Sequence, residues 1–264
     1  MTEKCDAIIS IATHRKRFDV CLKTLEKVFA QTLKPERIIV NVYKDEMPDL
    51  PDEYRKLEAE GKIEIYECPE DLRPHNKYWW TMHRFPENPV LTLDDDIEYE
   101  PDILENLYAS YKRNPENVHS YRFHEMTFGA DGRIKTYRLW KFEIDKATNN
   151  NVYATGCSGI LYPPKFLSKM DEEELKSAVL KHITVDDIVL TWIRIKCGIS
   201  ATVVPSRCKL PRAVDQRHGL CTNENAGHHN NDICVQDLIQ PMYPVRNNPT
   251  PRFNYSDWDM TDDD

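Results

Sequence analysis

Three consecutive aspartates, Asp94, Asp95 and Asp96, directly follow the apolar run Val90–Leu93. The run predicts a buried strand, and ionised carboxylates at the end of such a strand repel one another and need compensation. The usual compensation is a hard divalent cation that a substrate's phosphates also coordinate. The aspartates could instead cap the helix that begins near Pro101. Because they lie at the strand end, before that helix, metal–phosphate binding is the preferred interpretation.

The first half of the chain alternates between apolar runs and helical periodicity. Strands that alternate with helices of this length form βαβ units and a mostly parallel sheet. Ligands bind beyond the carboxyl ends of the strands in such sheets. Residues 13–17 and the aspartates both follow strands, so we expect them to meet at one edge. The predicted strands are 7–12, 37–42, 62–66 and 90–93, and the predicted helices are 18–29, 51–61 and 78–85.

The second half is less regular. Residues 127–151 resemble a hairpin or loop excursion with a turn at Asp131-Gly132. A last helix is predicted with Thr184 as its N-cap and Gly198 as its stop. Residues 205–264 are rich in proline and asparagine, and we expect them to form an irregular lid or tail. The other predicted elements are a helix at 101–112, a strand at 118–123, an interrupted strand at 152–161 and the last helix at 185–197.

The formal charge of −9 argues against nucleic acid as a partner, because no basic stripe is present to displace counterions. No stretch approaches the roughly 18 apolar residues of a membrane span. The first residues lack the apolar core of a signal peptide, so a cytoplasmic location is expected. The eight cysteines follow no CxxC spacing and are expected to be reduced. A zinc site is the alternative for the Cys and His residues near the C-terminus: Cys208, His218, Cys221, His228, His229 and Cys234.

Several segments, in this order, resemble GT-A glycosyltransferases, and most closely the inverting family 2. They are 9–15 (ISIATHR), Gln31-Thr32, 38–40 (IIV), Asn76-Lys77, 91–96 (LTLDDD), 156–163 (GCSGILYP) and Asp186-Asp187. The resemblance covers about residues 7–204. It implies a Rossmann-like, mixed but mostly parallel sheet flanked by helices, in which residues 1–97 form the nucleotide-binding half and residues 98–204 the acceptor half. One departure is that the second strand lacks the family's terminal Asp-Asp, for which Asp45 is the displaced candidate.

The resemblance also implies a divalent cation, Mn2+ or Mg2+, held together with a UDP- or GDP-linked sugar donor. Asp96 is the expected direct metal ligand, and Asp94 is expected at the ribose or at a metal-bound water. Asp95 would point to the opposite face if the backbone stayed extended. His218, or equally His228, falls where some of these enzymes supply a last metal ligand. The expected donor-binding residues are Thr13, Arg15, Asp45, Asn76, Lys77, Asp94 and Asp95, and the expected acceptor-binding residues are Trp140, Gly156 and Ser158.

An inverting transfer needs a general base near the acceptor hydroxyl. Asp187 is the candidate, with Asp186 second. The same residues also read as an N-terminal capping arrangement, in which an acid at the third helical position is favoured by the helix dipole. The two interpretations are compatible, because a capped helix start holds a carboxylate rigidly.

Aromatic residues accompany the motifs. Trp79 and Trp80 precede the aspartates and cannot both face the core on one helix, so one of them could serve as an exposed platform for a sugar ring. Trp140 lies in the excursion and is a further candidate. The alternative for each tryptophan is a place in the core.

The leading hypothesis is therefore a metal-dependent glycosyltransferase that builds a surface polysaccharide or another glycoconjugate. A sugar-phosphate nucleotidyltransferase is the second enzyme class, but it would need a glycine-rich loop after the first strand. This chain has no glycine before Gly61. A non-enzymatic nucleotide or sugar binder and a metal-dependent hydrolase are the remaining alternatives.

Overall fold

A seven-stranded sheet organises the chain. The computed structural model describes residues 4–147, 149–205, 212–214 and 229–245. The first half alternates strand and helix as the sequence pattern predicts. Its elements are β1 (Ile8–Thr13), α1 (Phe18–Phe29), β2 (Arg37–Tyr43), α2 (Asp52–Ala59), β3 (Glu64–Cys68), α3 (Asn76–Arg84) and β4 (Val90–Leu93).

The second half is built from shorter pieces. The predicted interrupted strand at 152–161 is two separate strands joined by a 3-10 turn, Gly156–Ser158. The elements are β5 (Ile97–Glu98), α4 (Ile103–Arg113), β6 (Val118–Ser120), β7 (Phe123–Glu125), β8 (Val152–Ala154), β9 (Ile160–Tyr162), α5 (Glu172–Lys181), α6 (Asp186–Lys196) and β10 (Ala201–Val203).

The strand order in the main sheet is β10-β6-β9-β4-β1-β2-β3. All neighbours in it are parallel except β9, which runs antiparallel to both β4 and β6. The prediction of a mixed, mostly parallel sheet flanked by helices is thereby confirmed. Strands β7 and β8 form a separate antiparallel pair beside the main sheet.

Hydrophobic cores cover both faces of the sheet. Helices α1, α2 and α4 pack on one face, and helices α3, α5 and α6 pack on the other. Successive side chains of a strand point to opposite faces of the sheet. In β4, Val90 accordingly belongs to one core and Leu91 belongs to the other. None of the helices in the described ranges is both long enough and apolar enough to cross a membrane.

The described parts of the predicted C-terminal lid contain two elements that the sequence analysis did not predict. Strand β11 (Arg212–Ala213) pairs antiparallel with β5. Helix α7 (Asn230–Cys234) continues as a π-helical turn, Val235–Ile239, and buries Cys234, Val235 and Ile239 in the core. Whether the whole of 205–264 acts as a lid stays a prediction, since most of it lies outside the described residues.

Candidate functional site

The candidate site lies where the strand order reverses. From β1 the chain moves through β2 to β3 on one side, and β4 then pairs with β1 on the other side. In open parallel sheets this reversal opens a crevice at the carboxyl ends of the two neighbouring strands. Residues 13–17 follow β1 and the three aspartates follow β4. The expectation that these groups meet at one edge is confirmed.

Arg17 braces the aspartates from the loop after β1. Its two terminal nitrogens donate to Asp95 Oδ1 at 2.6 Å and to Asp96 Oδ2 at 2.9 Å. Residues 94–96 leave the strand in a turn, so the extended backbone that would place Asp95 on the opposite face is not present. Asp95 and Asp96 share one partner instead. Arg17 lies within residues 13–17, which were expected to meet the aspartates, but it was not among the predicted site residues.

The aspartate cluster retains an excess of negative charge. Burial, followed by repulsion from Asp94, raises the pKa of Asp96 to about 7, although Arg17 opposes this shift. Burial alone would lower the pKa of Arg17, but Asp95 and Asp96 hold it above its ordinary value. Arg17 is therefore a fixed cation that neutralises only part of the cluster.

Lys77 joins the aspartate cluster to the start of α6. Its ammonium group lies 2.8 Å from Asp94 Oδ1 and 2.6 Å from Asp186 Oδ2. Burial alone would lower the pKa of Lys77, but Asp186 and Asp94 raise it well above its ordinary value. Burial would raise the pKa of Asp186, yet Lys77 outweighs it and leaves that pKa below its ordinary value. Lys77 and Asp186 therefore form a buried pair of opposite charges.

Asp187 is held by uncharged donors. The Gly156 N–H donates to Asp187 Oδ2 at 2.8 Å, and the Tyr153 hydroxyl lies 3.4 Å from the same oxygen. Asp187 Oδ1 is buried and has no hydrogen-bond partner among the described residues. Burial, with repulsion from Asp186 next, raises the pKa of Asp187 to about 7. The carboxylate is thus able to take up a proton near neutral pH.

The local reason for this geometry differs from the predicted one. Helix α6 begins at Asp186 with Val185 at the N-cap and no side-chain cap, so the predicted N-cap role of Thr184 is wrong. Thr184 Oγ1 accepts a hydrogen bond from Asn230 in α7 instead. Asp187 is accordingly the second helical residue, not the third. The predicted stop is confirmed, because Gly198 follows the helix with φ +66°.

The absence of a side chain at Gly156 leaves room for Asp187 and Lys77. A Cβ atom at this position would lie 2.8 Å from Asp187 Oδ1 and 3.0 Å from Lys77 Nζ. Any side chain would displace one of these two groups. Ser158 is buried in the same 3-10 turn. The predicted acceptor-side segment therefore lies beside the predicted base.

The other predicted donor residues gather at the neighbouring strand ends. Arg15 donates to the Asp45 carbonyl at 3.1 Å and pairs with Glu46 at 3.2 Å. Thr13 is buried at the end of β1. Asn76 is also buried, and its amide is occupied by local contacts: it accepts from the Trp80 indole at 2.8 Å.

The tryptophans divide between core and surface. Trp79 is buried and Trp80 is half-buried, as expected for neighbours on one helix. Trp140 is only 4% exposed and packs against Tyr153 with ring centroids 5.6 Å apart. Because Trp140 is buried, it packs behind Tyr153 and does not offer an exposed surface on which a sugar ring could stack. Its predicted contact with an acceptor is not tested by the structure.

The residues present fit a divalent cation only in part. Lys77 and Arg17 use one oxygen each of Asp94 and Asp96, which leaves the second oxygens of these carboxylates outside the ion pairs. Hard oxygen ligands of this kind suit Mg2+ or Mn2+ when phosphates complete the shell. Within the described ranges, no group of three or more His, Cys, Asp or Glu side chains could hold a metal alone. His218, His228, Cys208 and Cys221 lie outside the described residues.

Comparison with known families gives one match. The model of glycosyl transferase family 2 matches residues 8–171. No curated protein matches the chain.

Among solved structures, a mannosyltransferase from Pyrobaculum calidifontis, PcManGT, superposes with a TM-score of 0.52 at 13% identity. It was solved in complex with GDP-Man and Mn2+. The superposition covers 82% of this chain and 59% of the mannosyltransferase, so the chain spans less than two thirds of that protein's length. At this identity the similarity establishes a shared fold only.

Two further similar structures have lower scores. CMP:2-keto-3-deoxy-manno-octonic acid synthetase, complexed with CTP, gives a TM-score of 0.44 at 11% identity and covers 75% of this chain and 88% of its own. A 4-diphosphocytidyl-2C-methyl-D-erythritol synthase from Anaerococcus prevotii gives 0.43 at 12% identity and covers 81% and 94%. Similarity at this level carries no information about function.

Proposed function

The chain belongs to glycosyl transferase family 2, and from this membership we propose that it transfers a sugar from a nucleotide-sugar donor to a hydroxyl group of a glycan or glycoconjugate. The observation that carries the proposal is the position of Lys77. This single buried ammonium contacts Asp94 at the end of β4 and Asp186 at the start of α6. The donor-side aspartates and the candidate base thus belong to one site.

We propose that the transfer inverts the sugar's configuration and that Asp187 is the general base. Asp187 Oδ1 is buried without a hydrogen-bond partner among the described residues, and a buried polar atom of this kind needs one. An acceptor hydroxyl would supply that partner and give its proton to Oδ1 as its oxygen attacks the sugar. Lys77 keeps Asp186 ionised, and the charge of Asp186 in turn raises the proton affinity of Asp187.

On the donor side, Asp96 and Asp94 would hold a divalent cation together with the donor's diphosphate. When bound, such a cation stabilises the negative charge of the departing nucleoside diphosphate. Arg17 fixes Asp96 through Oδ2 and so orients its other oxygen. Arg15 and Asp45, exposed at the ends of β1 and β2, are proposed to contact the nucleotide.

A role in surface polysaccharide synthesis and a cytoplasmic location stay predictions from the sequence.

The proposal is tested by incubating the protein with a panel of UDP- and GDP-linked sugars in Mn2+ and measuring thermal stability. A donor that binds only the folded state raises the unfolding temperature. GDP-Man with Mn2+ comes first, because the mannosyltransferase of the same fold was solved with this pair. Stabilising donors are then tested for turnover by the release of nucleoside diphosphate.

A parallel incubation with nucleoside triphosphates and sugar phosphates separates the alternatives. A glycosyltransferase releases nucleoside diphosphate from a nucleotide sugar, whereas a nucleotidyltransferase releases pyrophosphate from a nucleoside triphosphate and a sugar phosphate. Pyrophosphate release would overturn the proposal. Stabilisation by a donor with no transfer to any glycan acceptor would favour a non-enzymatic binder.

A further inference from the structure

The two oxygens of Asp187 have different surroundings. Oδ2 faces the Gly156 N–H at 2.8 Å and the Tyr153 hydroxyl at 3.4 Å. Oδ1 is buried and lacks a hydrogen-bond partner among the described residues. Because both oxygens belong to one planar group, donors that fix Oδ2 also fix the direction in which Oδ1 points.

Tyr153 is itself held in place by its surroundings. It lies on β8, whose pairing with β7 places it opposite His124. Its ring packs against Tyr137 and Trp140 with centroids 5.7 and 5.6 Å away. The side chain is 5% exposed, so its hydroxyl depends on a protein partner, and that partner is Asp187. The packing of the ring therefore determines the position of the Tyr153 hydroxyl beside Asp187.

We propose that Tyr153 is a positioning residue for Asp187: its hydroxyl and the Gly156 N–H hold Oδ2, so that Oδ1 is presented to the acceptor hydroxyl. This inference rests on the proposed role of Asp187 as the base and adds a residue that no sequence motif indicated. Burial raises the pKa of Tyr153 well above its ordinary value, so the phenol stays protonated and acts as a donor.

The contact of 3.4 Å is long for a hydroxyl donor. Hydrogen bonds in catalytic sites are often long without substrate and tighten in the complex. We expect this one to shorten when the acceptor binds, because a partner at Oδ1 would draw the carboxylate into its working orientation.

Tyr153→Phe tests the inference, because it removes the hydroxyl and leaves the ring and all charges unchanged. The ionised form of Asp187 loses a donor, so the pKa of this carboxyl should rise. The rate should fall about tenfold at neutral pH, and the acid limb of its pH profile should move to higher pH by about half a unit or more. The donor KM should not change. The titratable groups that interact with Asp187 are Lys77, Tyr78, Asp94, Tyr153, Cys157, Tyr162 and Asp186.

Tyr54→Phe is the matched control. Tyr54 is fully buried, and its hydroxyl donates to the Phe18 carbonyl at 2.8 Å, away from Asp187. It should lose comparable thermal stability while its pH profile stays that of the wild type. Carbon-13 NMR of the Asp187 carboxyl group, assigned with Asp187→Asn, gives the same pKa comparison when turnover is too slow to measure.

The outcomes separate the inference from the proposed function. If Asp187→Asn retains full activity, the base assignment fails and the inference fails with it. If Asp187→Asn is inactive but Tyr153→Phe has an unchanged pH profile and carboxyl pKa, Asp187 remains the base and the positioning role of Tyr153 is overturned. An equal shift in Tyr54→Phe would also overturn it, because the shift would then reflect general loosening.

Discussion

The two carboxylate clusters of the site relieve the same repulsion in different ways. After β4, Asp95 and Asp96 face a guanidinium group at 2.6 and 2.9 Å, and Asp96 keeps an oxygen outside that ion pair. At the start of α6, Lys77 neutralises Asp186, and Asp187 receives only uncharged donors. We infer that Asp94 and Asp96 bind a cation together with the donor's diphosphate. Asp187 instead accepts a proton from the acceptor hydroxyl.

The comparison teaches that similar burial can serve binding or catalysis. The pKa of Asp96 and the pKa of Asp187 are both raised to about 7, in each case first by burial and then by a neighbouring aspartate. The difference lies in the partners. A carboxylate beside a fixed cation is well placed to act as a ligand, whereas one held by neutral donors is well placed to accept a proton.

The largest expected effect comes from the first cluster. Asp96→Ala should abolish turnover with every donor and remove Mn2+ binding in the presence of nucleoside diphosphate, as measured by calorimetry. The fold should persist or gain stability, because a repelling charge is lost. Asp102→Ala, which removes an exposed carboxylate at the start of α4, is the control and should stay active. Full activity of Asp96→Ala, or of the wild type after exhaustive chelation, would contradict the role of this cluster.

The second cluster should respond differently. Asp187→Asn removes the proton acceptor and keeps the shape of the side chain, so kcat should fall roughly 10²-fold or more. Donor affinity, measured by calorimetry with the inactive variant, should stay near the wild-type value. A parallel loss of donor affinity and rate would assign Asp187 to the donor site, and the contrast between the clusters would disappear.

Lys77→Met tests the link between the clusters. It leaves Asp186 as a buried charge without its cation, and breaking such a pair costs about 3–5 kcal/mol of unfolding free energy. Lys165→Met is the control, because Lys165 and its partner Glu87 are both exposed and such a pair contributes about 1 kcal/mol or less. Both values are measured by urea denaturation. Equal losses of unfolding free energy in the two variants would show that the pair of Lys77 and Asp186 contributes no more than an exposed ion pair.

A further effect is expected on the pH dependence of the unfolding free energy without metal. Asp96 and Asp187 have folded-state pKa values of about 7, above those of unfolded aspartates. The folded protein therefore binds more protons than the unfolded chain between about pH 4 and 7. This contribution is fully present below pH 4 and is lost as the pH rises through 7. The unfolding temperature in EDTA should fall across this window, and the fall should be smaller in Asp187→Asn.

The sequence predicted the first half of the fold because each element there carries its own signal. Helix α1 shows this, since Phe18, Cys21, Leu25 and Val28 recur on one face and are buried. Helix α5 was missed although Asp171 caps it by accepting from the Glu174 N–H at 2.9 Å, a recognisable pattern. Helix α7 offered no such signal, because His229 at its N-cap makes no side-chain cap.

The candidate site was predicted as a set of single residues but not as a set of pairs. The motifs located Asp94–Asp96 and Asp186–Asp187, because strand ends and helix starts are visible in a sequence. The pairing of Arg17 with Asp95 spans 78 positions, and no local pattern could reveal it. No local pattern indicated Tyr153 either, because only the packed β7–β8 pair brings its hydroxyl to Asp187.

The short strand β11 has a consequence for how the protein is made. Arg212–Ala213 pairs with β5, and the Val214 N–H donates to the carbonyl of Asp96 at 2.6 Å. The backbone at the aspartate cluster is therefore completed by a segment that leaves the ribosome long after β4. Contacts between residues so far apart form late in folding. A nascent chain that has folded through β10 would have its main sheet but an incomplete backbone at the aspartate cluster, which residues 212–214 complete only after they have been synthesised.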